Sequence, residues 1–174
     1  MRIVGIDNGL DGGLVLLVDG AVTQAVVMPT FSVGKGRREY DVQALVQTIR
    51  DMRPDHVFIE RAQSMPKQGV SSTFNTGRGF GLVCGIVAAL GLAHTIVGPR
   101  TWQGAMFRDL AKARTKAMAA IVCSRLWPGQ DWRATERCTK AHTGLCDAAL
   151  LGEYGRRQVE VTRPAQATDA PPAG

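Results

Sequence analysis

The pattern that most restricts the fold is a series of three short apolar runs at the start of the chain. Residues 2–6 and 14–18 are rich in β-branched residues and leucine, and 22–28 follows directly after the dipeptide Asp19-Gly20. An Asp-Gly pair between two apolar runs indicates a β-hairpin, and a Gly-rich turn separates the first two runs. The chain therefore predicts three consecutive antiparallel strands before any helix.

The rest of the chain alternates between helical and extended patterns. Apolar residues at helical spacing begin after Asp41 and stop before Pro54, and an apolar strand pattern covers residues 56–59. Further helices are predicted at 71–90 with Ser71-Ser72 as N-cap, 115–126 and 144–156, and a further strand at 94–98. This order predicts an α/β domain of three layers. Helices flank a mixed five-stranded sheet, in which an antiparallel meander is followed by parallel strands.

Length and composition fit one domain. With 174 residues, 45% of them hydrophobic, the chain can bury a single core without a disulfide or a structural metal. We assign residues 1–160 to this domain and expect residues 161–174, rich in Ala and Pro, to form a disordered tail. The early acid Asp7 and the lack of a long apolar span lead us to expect a protein that is neither exported nor membrane-bound. We expect it in the cytoplasm of a bacterium or phage-infected host, or in an organelle matrix.

The charge balance favours a polyanionic partner. The chain has 21 Lys and Arg against 15 Asp and Glu, and its formal net charge is +6. Most of the bases are Arg, whose planar guanidinium can bind a phosphate through two hydrogen bonds. Nucleic acid is therefore a leading candidate, although a basic composition is common and these bases are spread along the chain rather than clustered.

Three carboxylates stand out because apolar residues surround them. Asp7 ends the run 3–6, Glu60 ends the run 57–59, and Asp147 lies inside an apolar helical pattern. A buried carboxylate is costly unless a cation compensates its charge. If the first and fourth strands are parallel neighbours, Asp7 and Glu60 emerge at the same sheet edge, where the last helix can add Asp147. Such oxygen ligands suit Mg²⁺ or Mn²⁺, although each acid alone could equally be a strand-end cap or a salt-bridge partner.

Four segments share their order and spacing with a known family. They are IDNG at 6–9 with GG at 12–13, FIER at 58–61, TGRGFG at 76–81 and HTGLCDAALL at 142–151. Over residues 2–157 the chain resembles the RuvC-like Holliday-junction resolvases, most closely their phage and organellar branch. The combination of segments is more specific than any one of them.

The resemblance implies an RNase H-like fold and a homodimer that cuts two strands of a four-way DNA junction, leaving 5′-phosphate and 3′-hydroxyl ends. It implies that Asp7, Glu60 and Asp147 are metal ligands, with two Mg²⁺ ions per active site and Mn²⁺ as a substitute. Family members usually carry a further acid or a His shortly before the last acid. Here Thr143 and Gly144 occupy the nearer positions, and we assign the role to His142, five residues before Asp147, either as a ligand or as a group that orients water. A surface His at a helix start is the alternative. Lys116, at a predicted helix start, is a candidate catalytic cation.

Seven residues are candidates for DNA contacts. The loop at 34–38 is basic and, as a mobile loop, suits backbone phosphates, although a solvated loop would look the same. Three further cations flank the proposed acids in the fold that the resemblance implies, and one aromatic residue could stack at the junction centre or belong to the core. The candidates are Lys35, Arg37, Arg38, Lys67, Phe74, Arg78 and Arg100.

The long predicted helix carries glycine at every fourth position. Gly77, Gly81 and Gly85 lie on one face and lower the stability of an isolated helix. Close approach of another backbone would compensate for this. The sheet, a twin helix in a dimer and a DNA strand all remain open as the neighbour.

Two other functions are compatible with parts of the pattern. Asp7-x-Gly9 after a strand and the β-β-β-α-β order also occur in actin-like and sugar-kinase ATPases, but those enzymes need a second domain and a second phosphate loop. A non-catalytic junction-binding protein of the same fold is the other alternative. Three buried acids without a use would only cost such a protein stability.

Overall fold

The computed structural model describes residues 1–63, 69–108 and 117–162. The strands are β1 (Arg2–Asp7), β2 (Gly13–Val18), β3 (Ala21–Val27), β4 (Thr30–Ser32), β5 (Arg38–Tyr40), β6 (His56–Glu60) and β7 (His94–Val97). The helices are α1 (Val42–Met52), α2 (Val70–Ala89), α3 (Pro99–Met106), α4 (Met118–Leu126) and α5 (Thr143–Thr162).

The main sheet has five strands in the order β3-β2-β1-β6-β7. β1 pairs antiparallel with β2, which pairs antiparallel with β3, while β6 runs parallel to both β1 and β7. The predicted meander followed by parallel strands is confirmed. β4 and β5 form a separate antiparallel hairpin.

Alternating side chains of the central strands supply two hydrophobic layers. Ile3 packs on the side of α3, α4 and α5, whereas Val4 and Ile6 pack on the side of α1 and α2. β2 alternates in the same way, with Val15 and Leu17 facing the first layer and Leu14 and Leu16 facing the second. The result is the predicted three-layer α/β architecture, with the sheet in the middle.

Several element boundaries differ from the sequence prediction. The β4–β5 hairpin and α3 were not predicted, and they replace what read as loops. α2 begins at Val70 after Gly69, so the assignment of Ser71-Ser72 as N-cap is wrong. α5 continues to Thr162 rather than ending at Arg156, so the first two residues of the predicted tail are helical, and residues 163–174 lie outside the described part.

No helix in the described ranges is long and apolar enough to cross a lipid bilayer.

Candidate functional site

Two parallel strands bring the first two acids to one edge of the sheet. Ile6 of β1 pairs with Ile59 of β6, and each of these residues is followed by an acid. Because the strands are parallel and in register, Asp7 and Glu60 leave the sheet side by side. The expectation that they share the carboxyl edge is confirmed.

Glycines allow α5 to bring the third acid to the same edge. A Cβ at Gly5 would overlap with the carbonyl oxygen of Ala148, and a Cβ at Gly144 would overlap with the backbone of Asp11 and Gly12. The helix therefore lies directly on β1 and on the loop after it. Asp147 follows Cys146, which is fully buried, and precedes Ala148, which is also fully buried.

The three carboxyls influence one another electrostatically. Burial raises the pKa of Asp7, although its Oδ1 accepts a hydrogen bond from the N–H of Gly9 at 3.1 Å. Burial, with the nearby charges of Asp7 and Asp147, raises the pKa of Glu60 to about 8. Burial and the charge of Asp7 raise the pKa of Asp147 to about 7. The charge of Asp7 thus disfavours ionisation of Glu60 and Asp147, an effect that an added cation would reverse.

The donor set fits a hard divalent cation in its chemistry. None of the ion pairs between described residues involves Asp7, Glu60 or Asp147, so their charges have no side-chain cation beside them in that part of the chain. Carboxylate oxygens at a partly buried edge are the ligands that Mg²⁺ and Mn²⁺ prefer. The same residues are not drawn together into a tight ligand cluster, since no three His, Cys, Asp or Glu side chains converge in the described ranges.

A hydrogen-bonded brace holds the carboxyl edge together, and sequence reasoning missed it. Asn8 is buried, and its side-chain amide donates to the backbone carbonyl of Glu60 at 2.5 Å. The hydroxyl of Tyr40 donates to the backbone carbonyl of Asn8 at 3.0 Å. A Cβ at Gly79 of α2 would overlap with that hydroxyl, so this glycine makes room for the brace. The asparagine directly after Asp7 was the available sequence signal.

A buried indole lies behind Glu60. Trp102 of α3 is fully buried, and its proximity lowers the pKa of Glu60 against the larger effect of burial. Its Nε1 nevertheless lies outside hydrogen-bond geometry and has no partner within the described residues. The sequence alone gave Trp102 no role.

Two clefts flank Asp7. The larger, here called the central cleft, has a volume of about 630 Å³ and is lined by Asp7, Asp11, Tyr40, Asn75 and Thr143 among others. The smaller has a volume of about 240 Å³ and is lined by residues that include Glu60, Arg61 and Pro99. Asp7 therefore lies between two open spaces rather than in a closed pocket.

His142 caps the helix that carries Asp147. Its Nδ1 accepts a hydrogen bond from the backbone N–H of Leu145 at 3.2 Å, and the ring lies near Asp7. A nitrogen that accepts a backbone N–H carries no proton, so the proton of the neutral imidazole is on Nε2. In this arrangement His142 offers a hydrogen-bond donor rather than a free lone pair.

Two of the predicted DNA-binding arginines already have acidic partners. Arg38 forms an ion pair with Asp11, and Arg78 forms one with Glu39. The guanidinium of Arg78 also lies over the ring of Tyr40, at 5.7 Å from its centroid. The first pair connects β5 to Asp11, which lines the central cleft, and the second connects β5 to α2.

The other residues predicted to contact DNA are either exposed or outside the described residues. Lys35 and Arg37 lie at the turn of the β4–β5 hairpin, so the segment predicted as a mobile loop is the tip of a hairpin. Arg100 is exposed in the first turn of α3, and Phe74 is 66% exposed on α2 rather than part of the core. Lys67 and Lys116 lie outside the described residues.

The glycine stripe of α2 does not face the sheet. A Cβ built at Gly77, Gly81 or Gly85 would meet no described atom within 4 Å. Of the three neighbours that the sequence left open, the sheet is therefore excluded within the described structure.

Comparison with solved structures identifies the fold. A solved structure of T. thermophilus RuvC in complex with a Holliday junction substrate matches this chain with a TM-score of 0.65 and 17% identity. The match covers 93% of this chain and 96% of that chain. The chain has the fold of the RuvC resolvases. A second structure of Thermus thermophilus RuvC matches with a TM-score of 0.58 and 16% identity, over 91% of this chain and 97% of that one.

The same fold extends to a mitochondrial protein. The yeast mitochondrial Holliday junction resolvase Ydc2 matches with a TM-score of 0.60 and 13% identity, over 93% of this chain and 81% of that chain. No protein-family model and no curated protein sequence matches the chain. The predicted RuvC-like, RNase H-like architecture is therefore confirmed at the level of the fold.

Proposed function

We propose that this protein is a metal-dependent endonuclease that resolves four-way DNA junctions. It cuts two strands by hydrolysis and leaves 5′-phosphate and 3′-hydroxyl ends. The observation that carries the proposal is the position of Asp7, Glu60 and Asp147 at one edge of a RuvC-type sheet, with pKa values raised by burial and, for Glu60 and Asp147, also by the charge of Asp7. The junction-bound RuvC structure of the same fold supports branched DNA as the substrate.

Asp7, Glu60 and Asp147 would hold two Mg²⁺ ions, for which Mn²⁺ can substitute. Such ions supply positive charge that activates an attacking water and stabilises the leaving oxygen of a phosphodiester. The brace from Asn8 and Tyr40 fixes the backbone at the ends of β1 and β6, so that two of the carboxylates are held at a set separation. The open clefts on either side of Asp7 give a DNA strand a path across the site.

His142 acts in this scheme as a hydrogen-bond donor. Because Nδ1 is engaged by the N–H of Leu145, the Nε2–H remains to orient the attacking water or a phosphate oxygen. Of the two roles that the sequence left open, ligand or orienting group, the cap favours the second. Lys116 remains a proposal for a catalytic cation.

The proposed DNA contacts are six cations and one aromatic residue. Lys35 and Arg37 at the hairpin tip, Arg100 at the start of α3 and Lys67 would bind backbone phosphates. Arg38 and Arg78 would do so after exchanging their acidic partners for phosphate. Phe74 is an exposed aromatic residue that suits stacking on a base at the junction centre.

Paired cuts require two sites, so we propose a homodimer. The exposed face of α2 with Gly77, Gly81 and Gly85 suits the close approach of a twin helix. Val70, which is 87% exposed on the same helix, would be covered by it. Sedimentation velocity tests this: the wild type should sediment as a dimer and Gly81→Trp as a monomer, and an unchanged dimer in that variant would exclude this face.

A non-catalytic junction binder is the remaining alternative within the fold. The buried carboxylates argue against it, because uncompensated charges reduce stability unless they bind something. Cutting of a labelled four-way junction in Mg²⁺, compared with linear duplex, distinguishes the two functions.

A further inference from the structure

The loop between α4 and α5 contains no helix or strand, but contacts within it and with the core hold its shape. Trp132 anchors it: the side chain is 4% exposed, and its ring packs against Trp127 with centroids 5.6 Å apart. The backbone carbonyl of Trp132 accepts the N–H of His142 at 2.7 Å, which closes the loop at its base. The loop is therefore tied to the start of α5 and to the core.

Arg133 fixes the shape of the loop from inside. Its guanidinium donates to both carboxylate oxygens of Asp131, at 2.9 and 2.8 Å, and also to the backbone carbonyl of Glu136 at 3.1 Å. The N–H of Cys138 donates to the carbonyl of Thr135 at 3.0 Å, which adds a tight turn. This arginine serves the loop itself, and its charge is compensated within it.

The loop surrounds a hollow that opens onto the candidate site. The hollow has a volume of about 560 Å³, and Arg137, Cys138, Lys140 and His142 line it. Asp11 and Thr143 line both this hollow and the central cleft that contains Asp7. The two spaces are thus adjacent, with shared walls.

Two cations of the hollow have no acidic partner. Arg137 and Lys140 are exposed, and within the described residues neither forms an ion pair or a side-chain hydrogen bond with a protein group. Arg38, Arg78 and Arg133, by contrast, are each paired with a carboxylate. Because the loop backbone that carries these two cations is already ordered, binding of an anion has to order only their side chains.

We propose that Arg137 and Lys140 bind backbone phosphates of the DNA strand that crosses the central cleft. The inference rests on the proposed function and extends it. It assigns phosphate contacts on one side of the bound DNA strand to the loop between α4 and α5. The ligand that fits is a polyanion. A DNA strand carries a phosphate at every nucleotide, so one strand can occupy the central cleft and the adjoining hollow at the same time. Contacts of this kind position a strand without reading its sequence.

A charge-matched pair of variants tests the proposal. Arg137→Ala/Lys140→Ala removes the two cations of the hollow, and Arg50→Ala/Arg125→Ala removes two exposed cations that line none of the three spaces. Binding of a fluorescent four-way junction is measured by anisotropy in EDTA, over a series of salt concentrations. We expect the first variant to bind at least about tenfold more weakly, with the salt slope smaller by about 2, and the second to differ less than about twofold.

Uncharged methylphosphonate linkages in the DNA show which phosphates Arg137 and Lys140 contact. Methylphosphonates placed one at a time along the strand should weaken wild-type binding at one or two positions beside the cut, and should have no further effect there in Arg137→Ala/Lys140→Ala. If that variant keeps wild-type affinity, salt slope and sensitivity to methylphosphonates, the inference is wrong even where the wild type binds and cuts junctions. If the wild type binds no branched DNA, the proposed function fails, and this inference fails with it.

Discussion

Asp7 and Glu60 end neighbouring parallel strands, and the charge of Asp7 raises the pKa of Glu60. This relationship follows from the register of β1 and β6, in which Ile6 is level with Ile59. The negative charge that the two acids share at one edge of the sheet disfavours their ionisation, and the proposed metal ions would compensate it.

The first prediction concerns stability against pH. The folded protein binds a proton on Glu60, with a pKa of about 8, more tightly than the unfolded chain does, so this group stabilises the fold at low pH. Its contribution is lost as the pH rises from about 4.5 through 8. Glu60→Gln should therefore unfold like the wild type at pH 4 but be more stable by about 2 to 5 kcal/mol at pH 8.5.

Chemical denaturation of both proteins across this pH range, in EDTA, provides the measurement. Addition of Mn²⁺ at pH 8 should raise the melting temperature of the wild type and have little effect on Glu60→Gln. A difference between the two proteins that does not change with pH would contradict the electrostatic description of the site.

The second prediction separates the two functions of His142. His142→Asn retains a side-chain acceptor at the start of α5 but loses the Nε2–H, whereas His142→Ala loses both. We expect the Ala variant to be less stable by about 1 kcal/mol and the Asn variant to be nearly as stable as the wild type. Both should cut a junction at least about 100-fold more slowly, with Mn²⁺ affinity unchanged. Wild-type cutting by His142→Ala would rule out the donor role, and a loss of Mn²⁺ affinity in either variant would favour the ligand role instead.

The third prediction uses two glycines on opposite faces of α2. A Cβ at Gly79 would overlap with the Tyr40 hydroxyl and the carbonyl of Asn8, while a Cβ at Gly81 would meet no described atom within 4 Å. Gly79→Ala should therefore lose about 1 to 3 kcal/mol of unfolding free energy, and Gly81→Ala should gain up to about 1 kcal/mol in the monomer. Urea denaturation at low protein concentration measures both, and equal effects of the two changes would show that the brace is not tightly packed.

The fourth prediction concerns the ion pair between Arg38 and Asp11 at the rim of the central cleft. Asp11→Asn removes the carboxylate that competes with phosphate for Arg38, so affinity for a four-way junction should rise about two- to tenfold. Arg38→Ala should lower the affinity, and the double variant should behave like Arg38→Ala alone. Additive effects in this cycle would mean that Asp11 acts on DNA independently of Arg38.

The main sheet could be predicted from the sequence because its signals are local. Asp19-Gly20 marks the hairpin between β2 and β3, and apolar runs mark β1, β2 and β6. The positions of Asp7 and Glu60 then follow from the strand ends, so the sequence alone predicts that these acids share one edge of the sheet.

Other features depend on contacts that are distant in sequence. The ion pairs of Arg38 and Arg78 join residues 27 and 39 positions apart, so they became visible only in the fold. Gly79 lies two residues from Gly77 and Gly81, which rotates it to the opposite side of the helix, and the every-fourth-residue pattern concealed it. β4, β5 and α3 have 3, 3 and 8 residues, too few for a periodic pattern to emerge.

The most direct test of the central claim is the cutting of a labelled four-way junction in Mg²⁺, with linear duplex and RNA–DNA hybrid as competing substrates. The wild type should make paired, symmetrical cuts in the junction and leave the other two substrates largely intact. Asp7→Asn should bind the junction with near-wild-type affinity and not cut it. Equal cutting of linear duplex or hybrid, or cutting by Asp7→Asn at the wild-type rate, would contradict the account.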